Sequence, residues 1–158
     1  MKKVQMKRSW SVIAVAALFL GLAGCGSQAS SNPGVDISGN WNGYLTQAGD
    51  SSPSYAFGMQ FTKNTSVVSG TEIAFTGGSQ PNTGCINYGK LTATGNVSSQ
   101  TNVTITVTDP TTNSSFTINM SPNAGVTQMQ GDFNSVFGAN GGNPACAAET
   151  GTVLFTKQ

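Results

Sequence analysis

Val103-Thr-Ile-Thr-Val-Thr108 decides the fold. Aliphatic and hydroxyl side chains alternate strictly along it, which places the aliphatics on one face of an extended chain and the hydroxyls on the other. Phe116-Thr-Ile-Asn-Met-Ser121 repeats the pattern. Tyr55-Ala-Phe-Gly-Met-Gln-Phe61 sets four large side chains on one face and small or polar ones on the other. Upstream, Ile37, Trp41 and Leu45 share a face with Gly39 and Gly43 between them. Segments 67–76, 86–97, 126–133 and 151–156 bring the candidate strands to eight. In 86–97 the parity shifts, because Ile86 and Tyr88 are even whereas Leu91, Ala93 and Val97 are odd. A bulge at Gly89 would absorb the change.

No helical periodicity occurs from Val35 onward, and Gly, Pro, Asn and Ser punctuate the apolar runs. The expectation is an all-β domain, an eight-stranded antiparallel up-and-down barrel, with a two-sheet β-sandwich as the alternative. Glycines inside the strands favour strong coiling and therefore the barrel. In a simple meander, the connections at 47–54, 77–84, 109–114 and 138–150 share one rim. The short connections at 63–66, 98–102 and 122–125 share the other. Tight turns then close one end and long loops decorate the opposite one.

The N-terminus is a different kind of sequence. Residues 1–8 carry Lys2, Lys3, Lys7 and Arg8, and residues 12–22 are apolar. These are the n-region and h-region of a signal peptide, with a helical leader expected. An uncleaved transmembrane helix would need about 20 apolar residues, more than this run provides. Leu22-Ala23-Gly24-Cys25, which closes the run, resembles the lipobox of bacterial lipoproteins. That resemblance implies cleavage after Gly24 and attachment of a diacylglycerol to the Cys25 sulfur, with the new amino group acylated as well. The alternative is a plain secretory signal, with Cys25 an ordinary cysteine. Gly26 rather than Asp after the cysteine favours the outer membrane of the cell envelope over the inner one. The lipid bilayer is then a partner through the acylated Cys25, each buried CH₂ contributing about 0.8 kcal/mol. Gly26-Ser-Gln-Ala-Ser-Ser-Asn-Pro-Gly34 reads as a flexible tether. The expected organisation is a signal peptide at 1–24, a lipidated tether at 25–34 and a barrel at 35–158.

Lipidation of Cys25 leaves Cys85 and Cys146 as an even pair. Each precedes an even-numbered candidate strand at the long-loop rim, so a disulfide fits the layout and an oxidising compartment. Two free thiols are the alternative. A crosslink of this span stabilises by roughly 4 kcal/mol in the chain-entropy account.

A second resemblance rests on fewer residues. Ile37-Ser-Gly-Asn-Trp41 resembles the Gly-x-Trp of the first strand in lipocalins and avidin-like proteins. Val68-Ser-Gly-Thr71 is similar to the Ser-Gly hairpins of the avidin meander. No second lipocalin motif occurs, and no basic residue is expected to stack on Trp41.

Composition narrows the function. After residue 24 there are three lysines against six carboxylates, so the mature chain is net −3 despite the +1 of the whole. Without a basic patch to displace counterions from phosphates, nucleic acid is not an expected partner. The chain contains no His, which removes Ser-His-Asp and Cys-His catalysis. Asp36, Asp50, Glu72, Asp109, Asp132 and Glu149 are scattered, and a cross-strand pair such as Glu72 with Asp132 is the nearest approach to acid–base machinery. No metal-ligand spacing or phosphate cradle occurs, so no cofactor or metal is expected.

Binding is what remains. Trp41, Tyr55, Tyr88 and Phe137 are the candidate binding residues, Phe137 because it opens the longest loop. An eight-stranded interior holds packed side chains or one small ligand, and core filling is the weightier outcome for most aromatics. Tyr44, opposite Trp41 in parity, should point outward. The leading expectation is a membrane-anchored, non-catalytic lipoprotein whose distal loops bind a small apolar ligand or an envelope protein. The alternatives are a periplasmic inhibitor resembling the lysozyme-inhibitor lipoproteins, or a structural surface lipoprotein. An enclosed cavity at the long-loop end would favour the first, and a packed interior with an exposed loop patch would favour the others.

Overall fold

The computed structural model describes residues 34–81, 83–138 and 146–158. The leader, Cys25 and the tether up to residue 33 lie outside the described residues, as does the loop segment 139–145. The barrel belongs to the compact unit Asn32–Gln158. Its strands are β1 (Gly39–Gln47), β2 (Tyr55–Asn64), β3 (Val67–Ile73), β4 (Thr92–Val97), β5 (Val103–Asp109), β6 (Ser114–Pro122), β7 (Gln128–Val136) and β8 (Thr150–Lys157). They pair in sequence order, and β8 returns antiparallel to β1, so the sheet closes into a barrel. Closure removes the sandwich alternative and leaves no sheet edge.

Alternation sets the inside. Val103, Ile105 and Val107 of β5, with Phe116, Ile118 and Met120 of β6, are buried, while the threonines between the β5 aliphatics are not. Trp41, Phe57, Met59, Phe61, Phe133 and Phe155 complete the packed axis. Gly43 is buried because the Phe155 ring lies over it; a Cβ there would meet the ring at 2.7 Å. The strand glycines thus make room for aromatic rings as well as permitting coiling.

The meander sorts the connections onto two rims. The turns after β2, β4 and β6 are short, and the loops after β1, β3, β5 and β7 lie at the other end. Gly34 enters at the short-turn rim, where a Cβ would press on Val97 and the Ser99 carbonyl. Ile37 then tucks beneath the first strand, fully buried, and its carbonyl accepts the Trp41 indole N–H at 2.9 Å.

Three expectations change. The β3–β4 connection runs over residues 74–91, longer than the pattern implied, and Ile86 and Tyr88 belong to it rather than to a bulged β4. Gly89 adopts φ 93° in a turn, so the parity shift marks the loop's end. Ser69-Gly70 sits inside β3, and the hairpin turn is Thr65-Ser66 before it. Finally, a basic residue does stack on Trp41: Lys157 is its register partner across β1–β8, with Nζ 5.3 Å from the ring centroid. Sequence distance hid this pair, because barrel closure brings the first and last strands together.

Candidate functional site

The long-loop rim gathers the polar and aromatic groups that the core does not absorb. Its foundation is a buried carboxylate. Asp109 ends β5 and is 1% exposed. It accepts the Asn87 N–H at 2.8 Å, the Thr111 N–H at 2.8 Å and the Thr112 hydroxyl at 2.8 Å. Burial alone would raise its pKa, but these hydrogen bonds to the ionised form outweigh it and hold the carboxyl below its ordinary value. The adjacent Ser114 hydroxyl donates to the Cys85 carbonyl and accepts the Gly138 N–H. Two side chains therefore tie the loops after β3, β5 and β7 to one another.

The disulfide reinforces the same junction. Cys85 in the β3–β4 loop is bonded to Cys146 in the β7–β8 loop, with Cα atoms 5.5 Å apart and a separation of 61 positions in sequence. The pair expected from the cysteine positions is therefore present. Cys85 is buried and Cys146 half-buried against the core.

Glu72 is the third tie. It sits at the rim end of β3, and its carboxylate accepts the N–H groups of Gly89 and Leu91 at 2.6 and 2.8 Å. It thereby shapes the turn that returns the long loop to β4. Asp132 lies on β7, which is not a neighbour of β3, so the two acids do not form a carboxylate pair.

The rim brings three of the four candidate aromatics together. Tyr55 is buried at the end of β2, its ring 4.9 Å from Phe116 and 5.8 Å from Phe137. Its hydroxyl donates to Glu149 at 2.9 Å, and burial, this hydrogen bond and the Glu149 charge all raise its pKa. Phe137 lies half-buried over Tyr55 and Phe116, 5.9 Å from the latter, and stoppers the barrel mouth. Tyr88 packs against the core from the β3–β4 loop. Its hydroxyl finds no well-formed hydrogen bond among the described residues. Burial pushes its pKa up to about 12, with the Ala56 backbone opposing and the Glu72 charge adding. Trp41 stands apart, fully buried near the short-turn end, and does not line the mouth.

The β3–β4 loop also straps the outside of the barrel. Gln80 donates to the Ala56 carbonyl at 2.9 Å. Thr76 exchanges two hydrogen bonds with Asn42, at 3.0 and 3.2 Å. Phe75 packs edge-on against Tyr44 at 5.5 Å. Tyr44 points outward as its parity requires, but the strap leaves it half-buried. Nothing local in the sequence marked Asn42 or Asp109 as buried polar anchors; both depend on loops folding back.

The arrangement is a filled barrel with a pinned rim. Four hollows lie on its outer wall and beside the β3–β4 loop, and each of these is open to solvent. Among the described residues, no group of three potential metal ligands comes together.

No family model matches the chain, and no curated protein matches it significantly. A solved structure described as EF1p2_mFAP2b bound to DFHBI is similar in fold, with a TM-score of 0.53. The match covers 77% of this chain and 94% of that one at 16% identity, a likeness of architecture.

Proposed function

We propose that this protein is a non-catalytic lipoprotein, held in the cell envelope by acylated Cys25, whose barrel presents its long-loop rim to an envelope protein. The observation that carries the reading is the packed interior beneath a crosslinked rim. Side chains fill the axis, while a disulfide and the Asp109 and Ser114 hydrogen bonds tie together the described parts of the loops above it. Rim segments crosslinked in advance lose less conformational entropy on docking, which favours association. The entry of Gly34 at the opposite rim supports an orientation in which the long loops face away from the bilayer. The lipobox and the Gly26 after it support an outer-membrane address. The absence of His from the chain supports a binding rather than a catalytic role.

The test is recovery of a protein from solubilised envelopes by the wild-type chain, compared with a double variant of the exposed loop positions Ser51→Arg and Ser52→Arg. The reading expects a defined partner that the variant loses. A partner retained equally by both would contradict it.

A second reading places a small apolar ligand at the mouth. Phe137 favours it, being the half-buried ring that separates the aromatic core from the rim. The similar fold in complex with DFHBI supplies a probe. Phe137→Ala should strengthen DFHBI binding if the ring occupies a ligand's place, and an unchanged, negligible affinity would set this reading aside.

A further inference from the structure

The outer wall over β6, β7, β8 and β1 carries a polar trough that none of the roles above uses. The strand registers align its side chains in ranks. Thr46 pairs with Thr152, Thr152 with Asp132, and Asp132 with Asn119, so four outward side chains stand abreast on neighbouring strands. The next rank is Tyr44, Leu154, Gln130 and Ser121. Strands are spaced by about 4.8 Å, and successive outward residues by about 7 Å along a strand. Three adjoining hollows run along this wall, two of them about 540 and 700 Å³ in volume. Thr46 and Thr152 are common to the first two, and Asn119 and Asp132 to the first and third. They reach from the β1–β2 loop at one rim to the β4–β5 turn at the other. Gly131 permits the close approach of β6 and β7 beneath them, since a Cβ there would collide with the Asn119 carbonyl.

Much of the hydrogen-bonding capacity of this wall is unspent, although Asn119 accepts from Thr104 and Asp50 from Ser54. Among the described residues, the side chains of Thr46, Gln130, Asp132 and Thr152 form no hydrogen bond or ion pair. Asn119 accepts the Thr104 hydroxyl through Oδ1 at 2.9 Å, which leaves its amide nitrogen free to donate. The set therefore offers amide and hydroxyl donors, amide and hydroxyl acceptors, and one carboxylate that can accept from two neighbouring hydroxyls. Leu154, Tyr44 and Pro53 supply apolar surface beside it. No Lys or Arg lines the three hollows, and Asp50 at the rim adds a second carboxylate.

We infer that this trough binds a neutral, hydroxyl-rich polysaccharide chain along the outside of the barrel. Mixed donors and acceptors beside apolar patches fit the alternating hydroxyls and C–H faces of sugar rings. The length of the trough fits a polymer better than a monosaccharide. Two carboxylates without a cation repel acidic polymers, which selects the neutral class. The trough meets the long-loop rim only at the β1–β2 loop, and the inference rests on the wall side chains of β6, β7 and β8, so it stands apart from the partner proposed above.

The test is native affinity electrophoresis of the full chain in detergent, through gels cast with dextran, galactomannan or the polyanion alginate. Retardation by at least one neutral polymer is expected, weakened tenfold or more in Asp132→Ala with Gln130→Ala. Leu154→Lys, which sets a bulky cation in the trough, should weaken it similarly. Near-UV circular dichroism of each variant should match wild type. If a variant loses that signal, Thr152→Val, which keeps side-chain volume, decides by the same readout. No retardation by either neutral polymer, retardation by alginate alone, or retardation indifferent to the substitutions would overturn the inference.

Discussion

The Asp109 carboxylate accepts the Asn87 N–H at 2.8 Å, joining the end of β5 to the latter part of the loop that follows β3. That contact ties two rim loops together, because the same carboxylate also secures Thr111 and Thr112. Asp109→Ala should therefore lower stability by about 2–4 kcal/mol, the range for orphaning buried groups bonded to a charge. Urea denaturation should show a lower midpoint with an unchanged slope. The pH dependence has a definite sign. The folded-state pKa lies below the ordinary 3.8, so the contribution is complete above that value and is lost as pH falls through the folded-state value. Wild type should lose stability in that acid window, and Asp109→Ala should lose less.

Reduction of Cys85–Cys146 should destabilise the barrel by about 4 kcal/mol, since the bond closes a long loop in the unfolded chain. Cys85→Ser with Cys146→Ser should reproduce the loss without reductant. Equal midpoints for the oxidised and reduced protein would contradict the bracing role.

Tyr88 gives an alkaline limit. Its folded-state pKa is raised to about 12, so its neutral form stabilises the fold below the ordinary value of 10, and that contribution is lost as pH rises towards 12. Absorbance at the phenolate band, followed with a fold-sensitive probe, should show Tyr88→Phe flattening the loss of stability in that window.

Cys25→Ser should abolish acylation and release the protein from membranes. Palmitate labelling and fractionation check this, and a variant that still labels would remove the anchor from the account.

The strands were legible because alternation is local. Val103 to Thr108 needed no other part of the chain to declare its face, and the strand order followed from the meander. The disulfide was legible because both cysteines precede even-numbered strands. The rim was not. Glu72, Asp109 and Asn42 look like isolated polar residues in sequence, and their roles arise only when the β3–β4 loop folds back on the barrel. Trp41 stood among the candidate contacts although core filling was the weightier reading for most aromatics; closure of β1 on β8 buries it and brings Lys157 over it. Tyr55 and Phe137 were placed together by the strand ends, which periodicity locates only to within a few residues.

The most direct test of the central claim uses a photo-crosslinking amino acid in intact envelopes, placed in turn at Ser52 in the β1–β2 loop and at Asn123 after β6. The account predicts a discrete protein adduct from Ser52 at the long-loop rim and none from Asn123 at the short-turn rim. Adducts from Asn123 alone, or equal adducts from both positions, would contradict it.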